Sequence, residues 1–361
     1  MTQKIYSTII GTGSYIPSNT VKNDDFNNHV FYDKTGEKIE KPNEYIVQKF
    51  EEITTIKERK YIEDDQQTSD IATKAAEKAI EDAGIDKETL DHIIVAHNFA
   101  DVPHGSNRKD ILPALASRVK QNLKIENPSC VAYDMIFGCP GWVQAMIQAN
   151  YYIRSGDAKR VMVIGADALS RILDPHDRDS MIFSDGAGAT ILEGVESEEP
   201  IGILGHQTRS DTLEYAKLLY MGKSNKKDYK NPRDHFIKMD GRKLYTYALQ
   251  FVPKAIHSCL EKTQTPIEDV KKILIHQANG KMDDAIISRL YKLYGIREVP
   301  EFVMPMNISC FGNSSVATVP TLLDQLLRKE LDDHEIQSGD TIILTSVGAG
   351  MNINAIVYKL P

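Results

Sequence analysis

Apolar runs rich in β-branched residues punctuate the chain. Ile93-Ile94-Val95-Ala96, Val161-Met162-Val163-Ile164, Ile273-Leu274-Ile275 and Thr341-Ile342-Ile343-Leu344 are continuous rather than alternating. Such runs predict strands covered on both faces. Between them, residues 70–83, 141–153, 245–261 and 317–329 carry apolar positions near helical spacing. Helices alternating with buried strands predict an α/β protein built around a layered sheet core. Two stretches break the pattern. Residues 31–42 are polar around the turn signal Asp33-Lys34-Thr35-Gly36, and residues 222–243 are rich in Lys and Arg. Both read as insertions or loops. Gly11-Thr12-Gly13 lacks the third glycine of a dinucleotide fingerprint and reads as a tight turn after the first strand.

The pattern also repeats. Ser155-Gly156-Asp157 precedes the 161–164 run and Gly165-Ala166 follows it; Ser338-Gly339-Asp340 precedes Ile342-Ile343-Leu344 and Gly348-Ala349 follows. Upstream, Glu88-Thr89-Leu90-Asp91-His92-Ile93-Ile94-Val95 matches Glu268-Asp269-Val270-Lys271-Lys272-Ile273-Leu274-Ile275 at nearly the same offset. Two similar halves are expected, residues 1–198 and 199–361.

Composition narrows the class further. Of 361 residues, 41% are hydrophobic and 26% charged, which excludes a disordered chain and a coiled coil. A net charge of −8 argues against wholesale nucleic-acid binding. The longest uncharged run, 135–153, contains Pro140, Gln144, Gln148 and Asn150 and makes a poor membrane span. Residues 1–11 hold a single Lys and too short an apolar stretch for a secretory leader. The expected location is the cytoplasm. The four cysteines show no CxxC spacing and are expected as free thiols. The absence of GxxxxGK[ST] and HExxH motifs, with no close ligand pairing among the ten His, leaves nucleotide hydrolysis and a metal site without support.

Candidate chemistry gathers at three places. Cys139 sits in Phe137-Gly138-Cys139-Pro140-Gly141, where a strand-like run ends and a helical pattern begins. Pro140 suits a first helical position. A cysteine there faces free N–H groups and the positive end of the helix, which favours the thiolate and lowers the thiol pKa. Cys130, Cys259 and Cys310 read as small buried hydrophobes. His276, in His276-Gln277-Ala278-Asn279, follows the 273–275 run. Asn313, in Phe311-Gly312-Asn313-Ser314-Ser315, precedes a helix. In two related halves such segments meet Cys139 at the shared interface. The basic run 222–243 reads either as a solvated loop or as a docking patch for an acidic or phosphate-rich partner.

In order and spacing these segments resemble the thiolase superfamily of condensing enzymes, and within it β-ketoacyl-acyl-carrier-protein synthase III. The resemblance runs through Gly11-Thr12-Gly13-Ser14-Tyr15-Ile16-Pro17, Ile56-Lys57-Glu58-Arg59, Gly138-Cys139-Pro140-Gly141, Ser184-Asp185-Gly186-Ala187-Gly188-Ala189, His276-Gln277-Ala278-Asn279 and Gly312-Asn313-Ser314-Ser315. It implies a five-layered αβαβα sandwich of two duplicated thiolase-like halves, assembled as a homodimer. It implies an acyltransferase of the ketosynthase type. Cys139 would carry the acyl group, His276 and Asn313 would donate to the enolate of a malonyl or β-ketoacyl donor, and Cys139 and Gly350 would supply oxyanion N–H groups. The resemblance also matches Tyr45 and Arg171 to positions that bind the coenzyme A adenine region, and Lys281 to one linked to carrier-protein docking. Leu112 matches a residue that crosses the dimer into the partner's acyl pocket. Coenzyme A or phosphopantetheine thioesters are then substrates, with acyl carrier protein or acyl-coenzyme A as partner, and no metal or redox cofactor is needed.

The sequence departs from the family at the expected tunnel mouth. Tyr45 stands where the initiating synthases carry a Trp, and the chain is longer both before Tyr45 and between Tyr45 and Thr55. The longer N-terminal region is similar to ketosynthases of dialkylresorcinol and flexirubin-type pigment pathways. That likeness implies a specialised lipid or polyketide product. The alternatives are an initiating synthase III of fatty-acid synthesis, a thioester acyltransferase or hydrolase on the same fold, and a non-catalytic partner subunit. Retention of Cys139 argues against the last, and His276 together with Asn313 favours condensation.

Overall fold

The computed structural model describes residues 4–361; residues 1–3, part of the stretch read for a leader, lie outside the described residues. The first half contributes β1 (Lys4–Tyr15), a ribbon of β2 (Asn19–Lys22) and β3 (Glu58–Tyr61), β4 (His92–Ala96), β5 (Val131–Met135), β6 (Arg160–Ala168) and β7 (Asp185–Ser197). The second contributes β8 (Gly202–Ser210), a ribbon of β9 (Leu219–Gly222) and β10 (Phe236–Met239), β11 (Val270–Ile275), β12 (Thr341–Gly348) and β13 (Asn352–Lys359). The main sheets run β1-β7-β6-β4-β5 and β11-β12-β13-β8. In the first, β4 is parallel to β6 and β6 antiparallel to β7; in the second, β11 is parallel to β12 and β12 antiparallel to β13. The two sheets are therefore versions of one unit. The place of β5 is taken in the second by an irregular segment, which accepts from Ile273 N–H at Val303 O and from Lys272 Nζ at Phe302 O.

The helices are α1 (Asn43–Thr54), α2 (Thr68–Ala83), α3 (Leu115–Asn122), α4 (Gly141–Ser155), α5 (Thr212–Tyr215), α6 (Gly241–Thr263), α7 (Gly280–Leu293), α8 (Ile308–Phe311) and α9 (Thr318–Leu327). α4 and α9 bury residues on nearly every side, the composition of a helix with no solvent face. They form the central layer. Trp142, Met146 and Leu322 share one core with Val163 of the first sheet and Leu344 of the second. α2 and α3 cover the outer face of the first sheet through Ile71 and Leu115, and α6 and α7 that of the second through Ile256 and Ile286. The result is the five-layered αβαβα sandwich of duplicated halves. No helix among the described residues is long and apolar enough to cross a membrane.

Two sequence expectations change and one holds. Gly11 and Gly13 make no turn but lie inside β1, where a Cβ on either would stand 2.5 Å from a carbonyl oxygen of α2, Ala79 or Ala75. Their glycines serve close helix–sheet packing, which no local turn signal reports. Residues 31–42 form the expected loop, turning where Gly36 N–H donates to Asp33 O, and Phe31 anchors it against Phe26 and Ile46. The stretch 222–243 is not one continuous docking patch. Lys238 is buried on β10 and paired with Asp174 and Asp177, Lys227 pairs with Glu37, and Lys243 with Asp240. Lys34 Nζ donates to Met239 O, so the two insertions brace each other.

Asp283 on α7 is fully buried, and neither carboxyl oxygen has a hydrogen-bond partner among the described residues. Burial pushes its pKa well above the ordinary carboxylate range, opposed by the nearby N–H groups of Asn279 and Ala278. A carboxyl whose pKa rises on folding favours the fold below its unfolded pKa and loses that contribution as pH climbs through the folded value. Asp283→Asn is therefore expected to stabilise by about 1–2 kcal/mol at pH 8 and by much less at pH 4. Urea denaturation at both pH values checks this, and equal shifts would contradict it.

Candidate active site

After β5 the chain crosses Gly138 at a φ of 69°, a conformation that favours glycine. A Cβ there would stand 2.8 Å from Ala349 N, and one on Gly348 would stand 2.6 Å from Cys139 N. The glycines thus let the segment after β12 pass directly over Cys139. This sets Cys139 at the seam between the halves, half-buried and just before α4.

His276 follows β11 and is buried, with Nδ1 2.7 Å from Thr318 Oγ1. Asn313 is buried, and its Oδ1 accepts the Ser315 N–H at 2.8 Å. Its backbone is held across the seam, because Ser184 N–H donates to Asn313 O at 2.9 Å. Ser315 is the meeting point. Its hydroxyl donates to Cys139 Sγ at 3.4 Å, and its carbonyl lies 3.0 Å from the Thr318 hydroxyl. One hydrogen-bonded cluster therefore joins Cys139, Asn313 and His276 at the starts of α4 and α9. Asn313 Nδ2 and His276 Nε2 have no hydrogen-bond partner among the described residues.

A cavity of about 230 Å³ opens beside the cluster, lined in part by Cys139, Ser315 and Ala349 but not by His276 or Asn313. Phe99, Leu169, Phe183, Leu219 and Ile237 make the rest of its wall largely apolar. A larger hollow of about 1120 Å³, around Glu268, Lys272 and Asp332, shares none of these residues. Burial pushes the Cys139 thiol up to about 12; the Ser315 hydrogen bond opposes this and the Asp167 carboxylate adds to it. The expectation of a lowered thiol pKa is thus corrected, because desolvation outweighs the helix start. Burial pulls His276 down to about 3, so its imidazole is neutral at physiological pH.

The other residues read from the sequence fall out differently. Ala349 rather than Gly350 reaches the cavity wall; Gly350, at φ 78°, turns toward Asn352. The Arg171 guanidinium is held inside the chain, with Nη2 donating to Glu63 O at 2.6 Å and Nη1 2.9 Å from His104 Nδ1. Tyr45 on α1 is exposed, with Lys41 Nζ 4.8 Å from its ring centre. Lys281 is exposed in the first turn of α7, and Leu112 is 84% exposed. Cys130 and Cys259 are buried, but Cys310 is exposed, against its reading as a buried hydrophobe. Asn98, Asp167 and Thr318 join the cluster with no sequence motif to mark them. The only signal for Asn98 was its place just past a strand end, the setting that also marked Cys139.

A duplicated five-layered sandwich with its reactive cluster at the seam defines the thiolase-fold class of condensing enzymes. Profiles of 3-oxoacyl-[acyl-carrier-protein (ACP)] synthase III and of its C-terminal part match residues 133–212 and 260–360. The chain is 32% identical to the beta-ketoacyl-[acyl-carrier-protein] synthase III of Prochlorococcus marinus (strain NATL2A), over 97% of this chain and 95% of the relative. The crystal structure of 3-oxoacyl-[acyl-carrier-protein] synthase III from Aquifex aeolicus VF5 superposes with a TM-score of 0.78 at 29% identity, covering 98% of this chain and 99% of that one. The priming β-ketosynthase of the R1128 polyketide pathway superposes with a TM-score of 0.80 at 26% identity, covering 100% and 98%. The chain belongs to the 3-oxoacyl-acyl-carrier-protein synthase III family, ketosynthases of the acyltransferase type that condense acyl thioesters.

Proposed function

We propose that Cys139 takes an acyl group from a coenzyme A or carrier-protein thioester and passes it to the enolate of a malonyl or β-ketoacyl thioester. The observation that carries this reading is the Ser315-centred cluster, whose Cys139 and Ser315 line an apolar cavity. Cys139 Sγ attacks the thioester carbonyl, and the N–H groups of Cys139 and Ala349 face the developing oxyanion. The departing thiol takes a proton and leaves the acyl-enzyme. With a malonyl donor, the carboxylate then leaves as carbon dioxide, and its bonding pair becomes the enolate. Asn313 Nδ2 and His276 Nε2 donate to the enolate oxygen. This role needs the ring proton on Nε2, which the Thr318 hydroxyl supports when it turns its proton from Ser315 O, 3.0 Å away, to His276 Nδ1 at 2.7 Å. The enolate carbon attacks the acyl carbonyl, and Cys139 is released as the β-ketoacyl product forms.

The working form is read as a homodimer. β5 is an open sheet edge, and Val131, Ile136, Ile111 and Leu112 expose apolar surface on and beside it. Light scattering at micromolar concentration is expected to give a dimer, and a monomer would contradict it. Leu112→Trp is expected to shorten the longest acyl chain accepted.

A second reading, a specialised product of the dialkylresorcinol type, is favoured by how the cavity is walled. The β9–β10 ribbon lines it, and residues 31–42 brace that ribbon from outside through Lys227–Glu37 and through Asn225 Nδ2 donating to Tyr32 O. The extra segment thus supports a wall of the acyl cavity. The names of the relatives favour the initiating step of fatty-acid synthesis instead. Competition among acetyl-, butyryl- and octanoyl thioesters, each with malonyl and β-ketoacyl donors, decides between them. A highest kcat/KM with octanoyl supports the specialised product. A highest value for acetyl-coenzyme A with malonyl-carrier protein removes it. No condensed product with any pair, only transfer or hydrolysis, removes the ketosynthase reading itself.

A further inference from the structure

Behind Cys139 runs a buried polar chain that the condensation chemistry leaves unused. Asp167, at the end of β6, is 1% exposed. Its two oxygens accept the Asn98 backbone N–H at 2.8 Å and the Asn98 Nδ2 at 2.7 Å. The carboxylate thereby fixes the Asn98 amide, since a flipped amide would set oxygen against oxygen. The second Nδ2 hydrogen points to Ser315 Oγ, 2.9 Å away. Ser315 Oγ thus receives one proton, and its own hydroxyl proton is directed to Cys139 Sγ at 3.4 Å. The Ser315 backbone is held for this task at a φ of 55°, with its N–H captured by Asn313 Oδ1. A serine kept in this left-handed conformation by its surroundings is a strained residue of the kind that gathers at reacting sites.

We infer that Ser315 is a catalytic hydrogen-bond donor to the Cys139 thiolate, and that Asn98 and Asp167 are the positioning pair that aims it. The inference rests on the reading of Cys139 as the nucleophile. It answers a problem that reading leaves open. Cys139 lies in a desolvated place where the free thiol resists ionisation, and a donor fixed on sulfur favours the charged form. The same donor serves whenever thiolate departs from the acyl-enzyme. The negative charge of Asp167 acts on the sulfur in the opposite sense, so its part is orientation, and variants of Asp167 would mix the two effects.

The test is alkylation of Cys139 by iodoacetamide in the full-length protein between pH 6 and 10. The thiolate displaces iodide, and peptide mapping separates Cys139 from the exposed Cys310. Ser315→Ala and Asn98→Ala each remove atoms beside the sulfur or behind its neighbour, so a merely structural role predicts faster alkylation. The inference predicts the reverse, a profile displaced to higher pH by about one unit, hence about tenfold slower on the rising limb. The double variant is expected to be no slower than Ser315→Ala alone. Ser315→Gly, which suits a φ of 55°, carries the same expectation should the alanine variant fail to fold. Unchanged or faster alkylation in the Ser315 variants overturns the inference. Slow alkylation with Ser315→Ala but not Asn98→Ala overturns the role of the positioning pair. Alkylation reads the hydrogen bond without turnover, so a failure of Cys139 to be acylated would sink the nucleophile reading separately.

Discussion

Cys139→Ala is expected to gain no mass from any acyl thioester and to lose condensation by at least about a thousandfold, the scale of losing a covalent nucleophile. The wild-type chain is expected to gain one acyl group under the same conditions. The result follows from position. Cys139 is the one cysteine that lines the apolar cavity, and the Ser315 hydroxyl lies against its sulfur. Cys130 and Cys259 are buried away from the cavity, and Cys310, though exposed, does not line it. Intact-mass measurement followed by peptide mapping checks the prediction. An adduct on Cys310 with Cys139 unmodified would overturn it.

His276→Ala and Asn313→Ala are expected to separate the two half-reactions. Each should still acylate Cys139, because neither side chain donates to the sulfur. Each should lower condensation by about a hundred- to a thousandfold, the usual cost of removing a donor aimed at developing charge. Asn313→Ala also releases the Ser315 N–H, so its acylation should slow modestly where that of His276→Ala does not. Thr318→Val, which leaves the His276 ring but removes the hydroxyl on Nδ1, should lower condensation by a smaller factor, and Thr318→Ser should restore it. Because burial holds His276 near 3, the imidazole stays neutral above about pH 5, and condensation should show no acid limb near the ordinary histidine range. Single-turnover measurement on pre-acylated enzyme checks both variants. A variant that blocked acylation while pre-acylated enzyme still condensed would reverse the roles.

The layered architecture was legible because its signals are local and repeated. Continuous apolar runs marked β4, β6, β11 and β12, and the Ser-Gly-Asp blocks before β6 and β12 marked the duplication. The place of Cys139 between β5 and α4 was legible for the same reason, since glycine and proline around a strand-to-helix junction are written in neighbouring residues. What stayed hidden depends on partners far along the chain. Gly11 and Gly13 resemble a turn until α2 is laid against them. Lys238 reads as one more surface lysine until Asp174 and Asp177 close around it. Ser315 follows Gly312-Asn313-Ser314 in sequence, yet its role needs Asn98 from the other half of the chain to direct its proton. The thiol pKa failed for a related reason: the helix start is visible in sequence, whereas the desolvation that outweighs it comes from packing.

The two sheets are copies of one unit, yet only the first keeps its outermost strand, β5. That asymmetry makes the two ends of the sandwich unequal. At one end the border is β5, where Val131 is exposed. At the other it is β11, where Ile273 N–H donates to Val303 O and Lys272 Nζ to Phe302 O, so an irregular segment covers part of the border. A border met in this way offers an incoming strand fewer free backbone groups than an open one, and strand addition from outside is thereby steered toward the β5 end.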